Sequence, residues 1–291
     1  MKENEQLDFL EIKKLTEQYC PAHILPIIYT DEYRDEDGVI RCKVCGGARS
    51  VKIGAATYRC LCECQEKDRV KKEIARVAEA RLEAYKDLCK NSLMGERYKT
   101  VTFANTQTGN NESFDKAFAR CRKYCECAKE VLDGGFGAYI YGGCGSGKTH
   151  LAACMANDLL QQLHPVVFTN FFEIQRDLKE CFGTKGSEAA LVARLTEVDF
   201  LFIDDIGTER MTTADGAELW VQEKMFDIIN RRYNAKKPTV FTSNYGLKDL
   251  YKNRGVAKKT VDRIYEMTAG ADMKVEGTNY RIIKNEQKLP F

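Results

Sequence analysis

The chain has 291 residues, enough for one large domain or two domains of ordinary size. Hydrophobic residues make up 44% and charged residues 30%, a composition typical of a soluble globular protein. The net charge of +2 gives no argument for a nucleic-acid or membrane partner, and no apolar run reaches membrane-spanning length. Because the first residues lack the apolar core of a signal peptide, we expect a cytoplasmic protein without membrane contact.

Thirteen cysteines are many for a protein of a reducing compartment, where clustered cysteines indicate metal binding rather than disulfides. Cys42 and Cys45 form a C-x-x-C pattern that two glycines follow. Cys60, Cys62 and Cys64 occupy alternate positions, which share one face if that segment is extended. Four thiolates from the two patterns complete a tetrahedral zinc site, and such a closed site is structural. We favour Cys62 and Cys64 as the second pair, with Cys60 as the alternative ligand.

The first third of the chain predicts further small elements. Apolar spacing predicts a short amphipathic helix over residues 7–19, and residues 48–59 predict a hairpin. Residues 65–88 predict a charged helix with one apolar stripe, which connects two modules. We therefore expect an amino-terminal zinc-binding domain at 1–95, including that helix, and a second domain at 96–291.

Residues 139–151 read as a short apolar strand, the pattern G-x-x-x-x-G-K-T and the start of a helix. This arrangement predicts a phosphate-binding P-loop, in which glycines let successive backbone N–H groups point at an anion. The positive end of the helix adds to that field. Lys148 reaches the β- and γ-phosphates, and the Thr149 hydroxyl holds Mg2+. The predicted nucleotide-binding residues here are Gly142, Gly145, Ser146, Gly147, Lys148, Thr149 and His150.

Further along, residues 114–131 predict a helix, and residues 198–205 form an apolar strand that ends in two carboxylates. Such a run suits a strand buried in a parallel sheet, where ligands lie at the carboxyl ends of the strands. Asp204 is predicted to hold Mg2+, and Asp205 to polarise the attacking water as general base. The next strand ends at Asn244, whose amide orients the water beside the γ-phosphate.

An arginine, Arg263, lies on a helical segment near the end of the chain. In a P-loop ATPase an arginine at this place suggests a finger that reaches into the nucleotide of a neighbouring subunit. The alternative is an ordinary surface or salt-bridged arginine.

Together these residues resemble the DnaC/DnaI-type helicase loaders and the related IstB-type transposition ATPases of the AAA+ class. The resemblance covers roughly residues 95–291. It rests on GGCGSGKTHLAA (142–153), FIDDIG (202–207), FDIINRRY (226–233) and KPTVFTSN (237–244). It implies an α/β fold, in which a parallel sheet flanked by helices forms an AAA+ ATPase. The DnaI-like members add a small amino-terminal zinc-binding domain that grips the helicase.

The resemblance also implies roles for individual residues. Asn244 matches the sensor-1 residue and Arg263 the arginine finger, with Arg231 and Arg232 as competing finger candidates. Arg281 looks like the terminal arginine of the family, which approaches the phosphates. Asp205 stands where many AAA+ proteins carry Glu. A shorter carboxylate stands farther from the water, which predicts slow ATP hydrolysis suited to a switch.

Tyr98 and Phe103 lie in the segment that leads into the adenine pocket in this family. Single-stranded DNA binding is implied as well, and the candidate surface follows the second strand of the ATPase. It comprises Asn170, Phe171, Phe172, Arg176 and Lys179. Aromatic and basic side chains together can stack bases and follow phosphates. The alternative is that both phenylalanines belong to the core.

The function implied is an ATP-dependent loader of the hexameric replicative DNA helicase onto single-stranded DNA. ATP would bind between self-associated subunits, and its hydrolysis would release the helicase. The alternative is an IstB-type ATPase that delivers target DNA to a transposase, although that type usually lacks a zinc-bearing segment. A third interpretation is an adaptor that binds nucleotide without hydrolysing it.

Overall fold

A computed structural model describes residues 29–54, 56–181, 185–207, 216–252, 256–277 and 279. The described residues form two compact units, which divide between Arg81 and Leu82. The predicted helix at residues 7–19 lies outside the described residues. None of the helices in these ranges is both long and apolar enough to cross a membrane.

The first unit contains two antiparallel hairpins. Strand β1 (Glu32–Arg34) pairs with β2 (Ile40–Cys42), and β3 (Ser50–Ile53) pairs with β4 (Ala56–Arg59). The second hairpin confirms the prediction for residues 48–59. Its turn contains Gly54, whose φ of 63° lies in the left-handed region that glycine adopts without strain.

A single helix, α1 (Glu63–Asn91), begins in the first unit and ends in the second. At the end of α1, Tyr85 and Leu88 of the predicted apolar stripe, together with Cys89, are partly buried against the core of the second unit. The division between the units falls within α1, and the domain boundary at residue 95 stays a prediction. Earlier along α1, the stripe residues Val70, Ile74 and Val77 are 45–64% exposed.

The second unit is built on a five-stranded sheet with the order β6-β7-β8-β5-β9, and all its neighbouring strands are parallel. The strands are β5 (Ala138–Gly142), β6 (Val166–Asn170), β7 (Phe200–Asp204), β8 (Thr239–Ser243) and β9 (Asp272–Val275). The predicted parallel sheet is therefore confirmed. Strand β9 was not predicted, because it has only four residues and two of them are charged.

Helices cover both faces of this sheet. They are α2 (Glu112–Glu126), α3 (Ala128–Gly134), α4 (Lys148–Gln161), α5 (Phe171–Cys181), α6 (Lys185–Glu197), α7 (Gly216–Asn234), α8 (Leu247–Leu250) and α9 (Lys258–Met267). Successive strand residues face opposite sides, so Ile140 belongs to one apolar cluster and Tyr139 to the other. Helices α2 and α4 pack on the first face, and α5, α6, α7 and α9 pack on the second.

The helix predicted at residues 114–131 is two helices. Cys127 has φ −101° and ψ 29°, outside helical values, and separates α2 from α3. Its backbone N–H still donates to the Lys123 carbonyl, so the chain changes direction without losing that hydrogen bond.

Candidate functional site

The loop between β5 and α4 has the backbone of a phosphate-binding loop. Gly145 has φ 76° and Gly147 has φ 103°, which side chains rarely allow. A Cβ atom on Gly147 would lie 2.7 Å from the Phe114 ring, so the close approach of α2 also requires glycine there. The Ser146 hydroxyl is buried and has no hydrogen-bond partner within the described structure. An unsatisfied buried hydroxyl in this loop fits a phosphate ligand.

Lys148 lies at the start of α4 and is 6% exposed. Its Nζ donates to the Gly143 carbonyl at 2.8 Å and to Asn244 Oδ1 at 2.9 Å. Strand β8 lies between β5 and β7, so the ends of these strands bring the lysine and the amide to the same edge of the sheet. The structure thus joins two residues that the sequence predicted to share one site.

The predicted Mg2+ pair is also assembled. Thr149 Oγ1 donates to both carboxylate oxygens of Asp204, each at 3.0 Å. Burial raises the pKa of Asp204 above its usual range, because the charged form is poorly solvated there. A hydroxyl and a carboxylate beside the phosphate loop are oxygen ligands of the kind that Mg2+ prefers.

Asp205 follows the end of β7 and is exposed. Its carboxylate accepts a hydrogen bond of 3.2 Å from the amide of Asn244. Its φ is 61°, an uncommon value for a residue other than glycine. The candidate general base therefore stands beside the candidate sensor and is reachable by water.

Thr242 is a site residue that the sequence reasoning missed. Its hydroxyl donates to Asp204 Oδ1 and accepts the backbone N–H of Asp205 at 2.9 Å. Side-chain alternation along β8 puts Thr242 and Asn244 on the same face, and this signal was available in the sequence. Ser243, by contrast, is fully buried and donates to the Ile206 carbonyl at 2.7 Å, which supports the turn after β7.

His150 contacts the segment that precedes α2. Its Nε2 lies 2.8 Å from the Thr106 hydroxyl. The same segment contains Tyr98, whose ring lies 6.1 Å from that of Phe168, and Phe103, whose ring meets Phe118 edge-on. These two aromatic residues are partly buried against the core.

The candidate arginines differ in their surroundings. Arg263 donates to Asn230 Oδ1 at 3.0 Å, pairs with Glu266 and lies 4.7 Å from the centre of the Tyr233 ring. Arg231 is exposed and pairs with Asp227 on the same helix. Arg281 lies outside the described residues.

Arg232 is fully buried, and burial lowers its pKa to about 9. Its guanidinium donates to the Thr239 hydroxyl and to several carbonyls, including those of Val198 at 2.9 Å and Pro238 at 2.6 Å. A side chain held this way cannot reach a neighbouring subunit, so Arg232 is not a finger candidate.

In the first unit, four cysteines come together. The Sγ atoms of Cys42, Cys45, Cys62 and Cys64 all lie within 4.8 Å of one another. Zinc–sulfur bonds of about 2.3 Å in a tetrahedron put the sulfurs about 3.8 Å apart, so the cluster fits a zinc ion. Cys60 lies outside it and contacts the Ala48 carbonyl at 3.5 Å.

The sequence prediction assumed an extended segment for the second cysteine pair, but the structure has this pair at the start of a helix. Cys62 immediately precedes α1 and Cys64 lies in its first turn. The start of the helix thus brings both sulfurs together, 3.2 Å apart.

The residues of the candidate DNA surface differ in burial. Phe171 is 3% exposed and belongs to the core, whereas Phe172 is 62% exposed. Asn170 accepts the backbone N–H of Glu173 at 2.7 Å and so caps α5. Arg176 is exposed and pairs with Asp177 on the same helix.

Comparison with known proteins agrees with this geometry. The profile of the family described as IstB-like ATP binding protein matches residues 137–288, just over half of the chain. Phage-like element PBSX protein XkdC of Bacillus subtilis (strain 168) is 27% identical over 251 residues, which cover 84% of each chain. The replicative helicase loader DnaC of Escherichia coli (strain K12) is 31% identical over 150 residues. That match covers 51% of this chain and 56% of DnaC.

A solved structure described as the crystal structure of the DnaC helicase loader has the same fold. It superposes with a TM-score of 0.53 at 25% identity, and covers 62% of this chain and all of that one. The matched region contains the P-loop, Asp204, Asp205 and Asn244. The chain therefore belongs to the family of IstB-like ATP-binding proteins and is a P-loop ATPase of the AAA+ class.

Proposed function

We propose that this protein loads a hexameric replicative DNA helicase onto single-stranded DNA, and that ATP switches its grip on both. The observation that supports this most is the similarity of the ATPase unit to a replicative helicase loader, at 31% identity over 150 residues. The cysteine-bearing unit is a second module, available to hold the partner. In this proposal residues 1–95 bind the helicase and residues 96–291 bind ATP.

Each side chain of the proposed ATP site has a separate role. The loop N–H groups and Lys148 hold the phosphates, while Thr149 and Asp204 hold Mg2+. Mg2+ supplies charge neutralisation at the β- and γ-phosphates. Asp205 takes the proton of the attacking water, and Asn244, hydrogen-bonded to it, orients that water.

The site is completed by a neighbouring copy of the chain in this proposal. Arg263 is half-buried and contacts Asn230 and Tyr233 of the same chain. These contacts orient it, in this proposal, toward the nucleotide of the neighbouring copy. By the family resemblance, Arg281, which lies outside the described residues, would also approach the phosphates. Slow hydrolysis by the isolated protein follows, because an incomplete site stabilises the transition state poorly.

Zinc is the cofactor proposed for the first unit, with Cys42, Cys45, Cys62 and Cys64 as ligands. Four thiolates close the coordination sphere, so the ion has a structural role and takes no part in hydrolysis.

A loading assay tests the proposal. The full-length protein would be mixed with the replicative helicase of its host and with circular single-stranded DNA, with ATP present. We expect helicase to be retained on the DNA only when this protein is present. Lys148→Ala, which removes the phosphate contact, should abolish retention. Helicase that neither binds this protein nor gains access to DNA would contradict the proposal.

The alternative function is delivery of duplex DNA to a transposase. The observation that favours it is the matching family profile itself, which is named for IstB-like proteins. A pull-down with the full chain separates the two functions. Recovery of a replicative helicase supports loading, whereas recovery of a transposase together with a preference for duplex DNA supports the alternative.

A further inference from the structure

We infer that Arg49 is a positioning residue of the zinc site: its guanidinium bridges the two cysteine pairs and offsets part of their charge. This inference rests on the proposed zinc site. Arg49 lies between the first hairpin and β3 and is 4% exposed. A buried guanidinium must be fully paired, because leaving its charge without partners in the interior is costly.

Two donors of Arg49 point at sulfur atoms. Its Nε lies 3.3 Å from Cys62 Sγ and its Nη2 lies 3.1 Å from Cys42 Sγ. Cys42 belongs to the C-x-x-C pair at the end of β2, and Cys62 belongs to the pair at the start of α1. One planar group therefore binds one ligand from each half of the cluster.

The remaining edge of the guanidinium is held by carboxylates. Its Nη1 donates to Asp31 at 2.6 Å and to Glu32 at 3.2 Å. Glu32 is itself 4% exposed and also accepts from Arg59 at 2.5 Å. A hydrogen bond from Arg59 lowers the pKa of Glu32 to about 2, so this carboxylate stays charged at neutral pH. These contacts fix the plane of the Arg49 side chain relative to the sulfurs.

The charge of the site explains the need for such a group. Four thiolates and one Zn2+ leave two net negative charges, and two of the four cysteines are buried. Arginine supplies one permanent positive charge and a rigid fork that can reach two acceptors at once. Hydrogen bonds to coordinated atoms orient metal ligands and tune them, and N–H donors make thiolates weaker nucleophiles.

Zinc affinity of the full-length protein tests the inference, measured by competition with a chromogenic chelator. Arg49→Gln should weaken zinc binding about 10- to 100-fold and speed metal release by a thiol-alkylating reagent. Arg49→Lys keeps the charge but not the fork, so its affinity should lie between those of wild type and Arg49→Gln. Arg34→Gln is the control, because Arg34 donates to the Gly38 carbonyl in the same unit and neither residue adjoins a cysteine in the sequence.

Cobalt substitution gives a spectroscopic readout that ATPase activity does not influence. The sulfur-to-cobalt absorption should shift in both Arg49 variants and stay as in wild type in Arg34→Gln. Wild-type affinity and spectrum in a folded Arg49→Gln would overturn the inference. If Arg49→Gln does not fold, wild-type values in Arg49→Lys would overturn it instead. A wild-type protein without zinc affinity would reject the zinc site itself, which is a separate result.

Discussion

Asp205 has a left-handed backbone, with a φ of 61°. Among residues other than glycine, Asp and Asn adopt this region most readily, since their short polar side chains bond locally. This backbone favours the short carboxylate at a position where many AAA+ proteins carry Glu. Slow hydrolysis stays a prediction, and a fast single-turnover rate in the isolated protein would contradict it.

Replacing Asp205 with Asn removes the base and keeps a residue that suits the left-handed backbone. We expect ATP hydrolysis to fall about 10²- to 10⁴-fold, with little change in nucleotide affinity or thermal stability. Phosphate release and the binding of a fluorescent ATP analogue measure the two effects. Full helicase loading by this variant would support a nucleotide-dependent adaptor instead.

Thr242 contacts both aspartates, because its hydroxyl donates to the Asp204 carboxylate and accepts the backbone N–H of Asp205. Thr242→Val keeps nearly the same side-chain shape but removes two hydrogen bonds, one to the Asp204 carboxylate and one from the Asp205 N–H. We expect Mg2+-dependent hydrolysis to fall about 10- to 100-fold and to need more Mg2+, while nucleotide binding without Mg2+ is kept. Titration of ATPase activity with Mg2+ measures this.

Two variants serve as controls for that experiment. Thr242→Ser retains the hydroxyl and should restore most of the activity. Thr268→Val removes another buried hydroxyl, which donates to the Ile264 carbonyl, and should leave the Mg2+ dependence unchanged. An equal loss in the Thr268 variant would show that the effect is general destabilisation.

Much of the ATP site was predictable from the sequence, because its key residues follow directly on recognisable strands. The structure brings Lys148 to Asn244 and Thr149 to Asp204, and the roles of these residues stay predictions. Thr242 was missed because the prediction considered only the polar residues at the end of the strand, although side-chain alternation puts Thr242 on the same face as Asn244. Arg232 stood as a finger candidate because its burial depends on residues far away in the chain, which the local sequence does not show.

At the scale of elements, α5 presents one exposed face with an aromatic and two basic residues. Phe172, Arg176 and Lys179 are spaced at i, i+4 and i+7, so they lie on one side of the helix. Phe171 points into the core and anchors that helix to the sheet. The sequence predicted this group of residues but could not separate its two phenylalanines.

Phe172→Ala should therefore weaken single-stranded DNA binding by about 1–3 kcal/mol, because one base loses its stacking partner. Fluorescence anisotropy with a labelled oligonucleotide measures the affinity. Tyr265→Ala is the matched control, since Tyr265 is 63% exposed, much like Phe172, and lies on α9. Equal losses in both variants, or none in either, would contradict a role for α5.

The break between α2 and α3 and the strand β9 were not predicted from the sequence. The break at Cys127 interrupts a segment whose helical pattern continues on both sides, so apolar periodicity did not reveal it. The four-residue strand β9 exists because β5 offers it a parallel partner. Pairing of this kind joins distant parts of the chain and leaves little trace in a short segment.

At the scale of the whole molecule, the two units differ in how they are stabilised. The ATPase unit has large apolar clusters on both faces of its sheet. Within described residues 29–81, the buried hydrophobic side chains are only those of Ile40, Cys42 and Cys62. A unit with so small a core depends on cross-links or metal for its fold.

Removal of zinc should unfold the first unit and spare the second. With a strong chelator present, hydrogen exchange should rise across residues 29–62, while ATP-analogue binding is retained. The chain has one tryptophan, Trp220 on α7, so its fluorescence reports on the ATPase unit alone. The denaturation midpoint followed by this fluorescence should not change. A lowered midpoint, or exchange that stays slow in the first unit, would contradict independent stabilisation.

The burial of Arg232 bears on how genetic data for this protein are interpreted. Its guanidinium donates to the carbonyls of Asp199 and Pro238, which immediately precede β7 and β8. Loss of Arg232 should therefore destabilise the sheet on which the ATP site is built. A screen for loss of function would recover Arg232 substitutions beside those of the ATP site, since both give the same phenotype. Steady-state protein abundance separates them, because a misfolded chain is degraded and an inactive one accumulates.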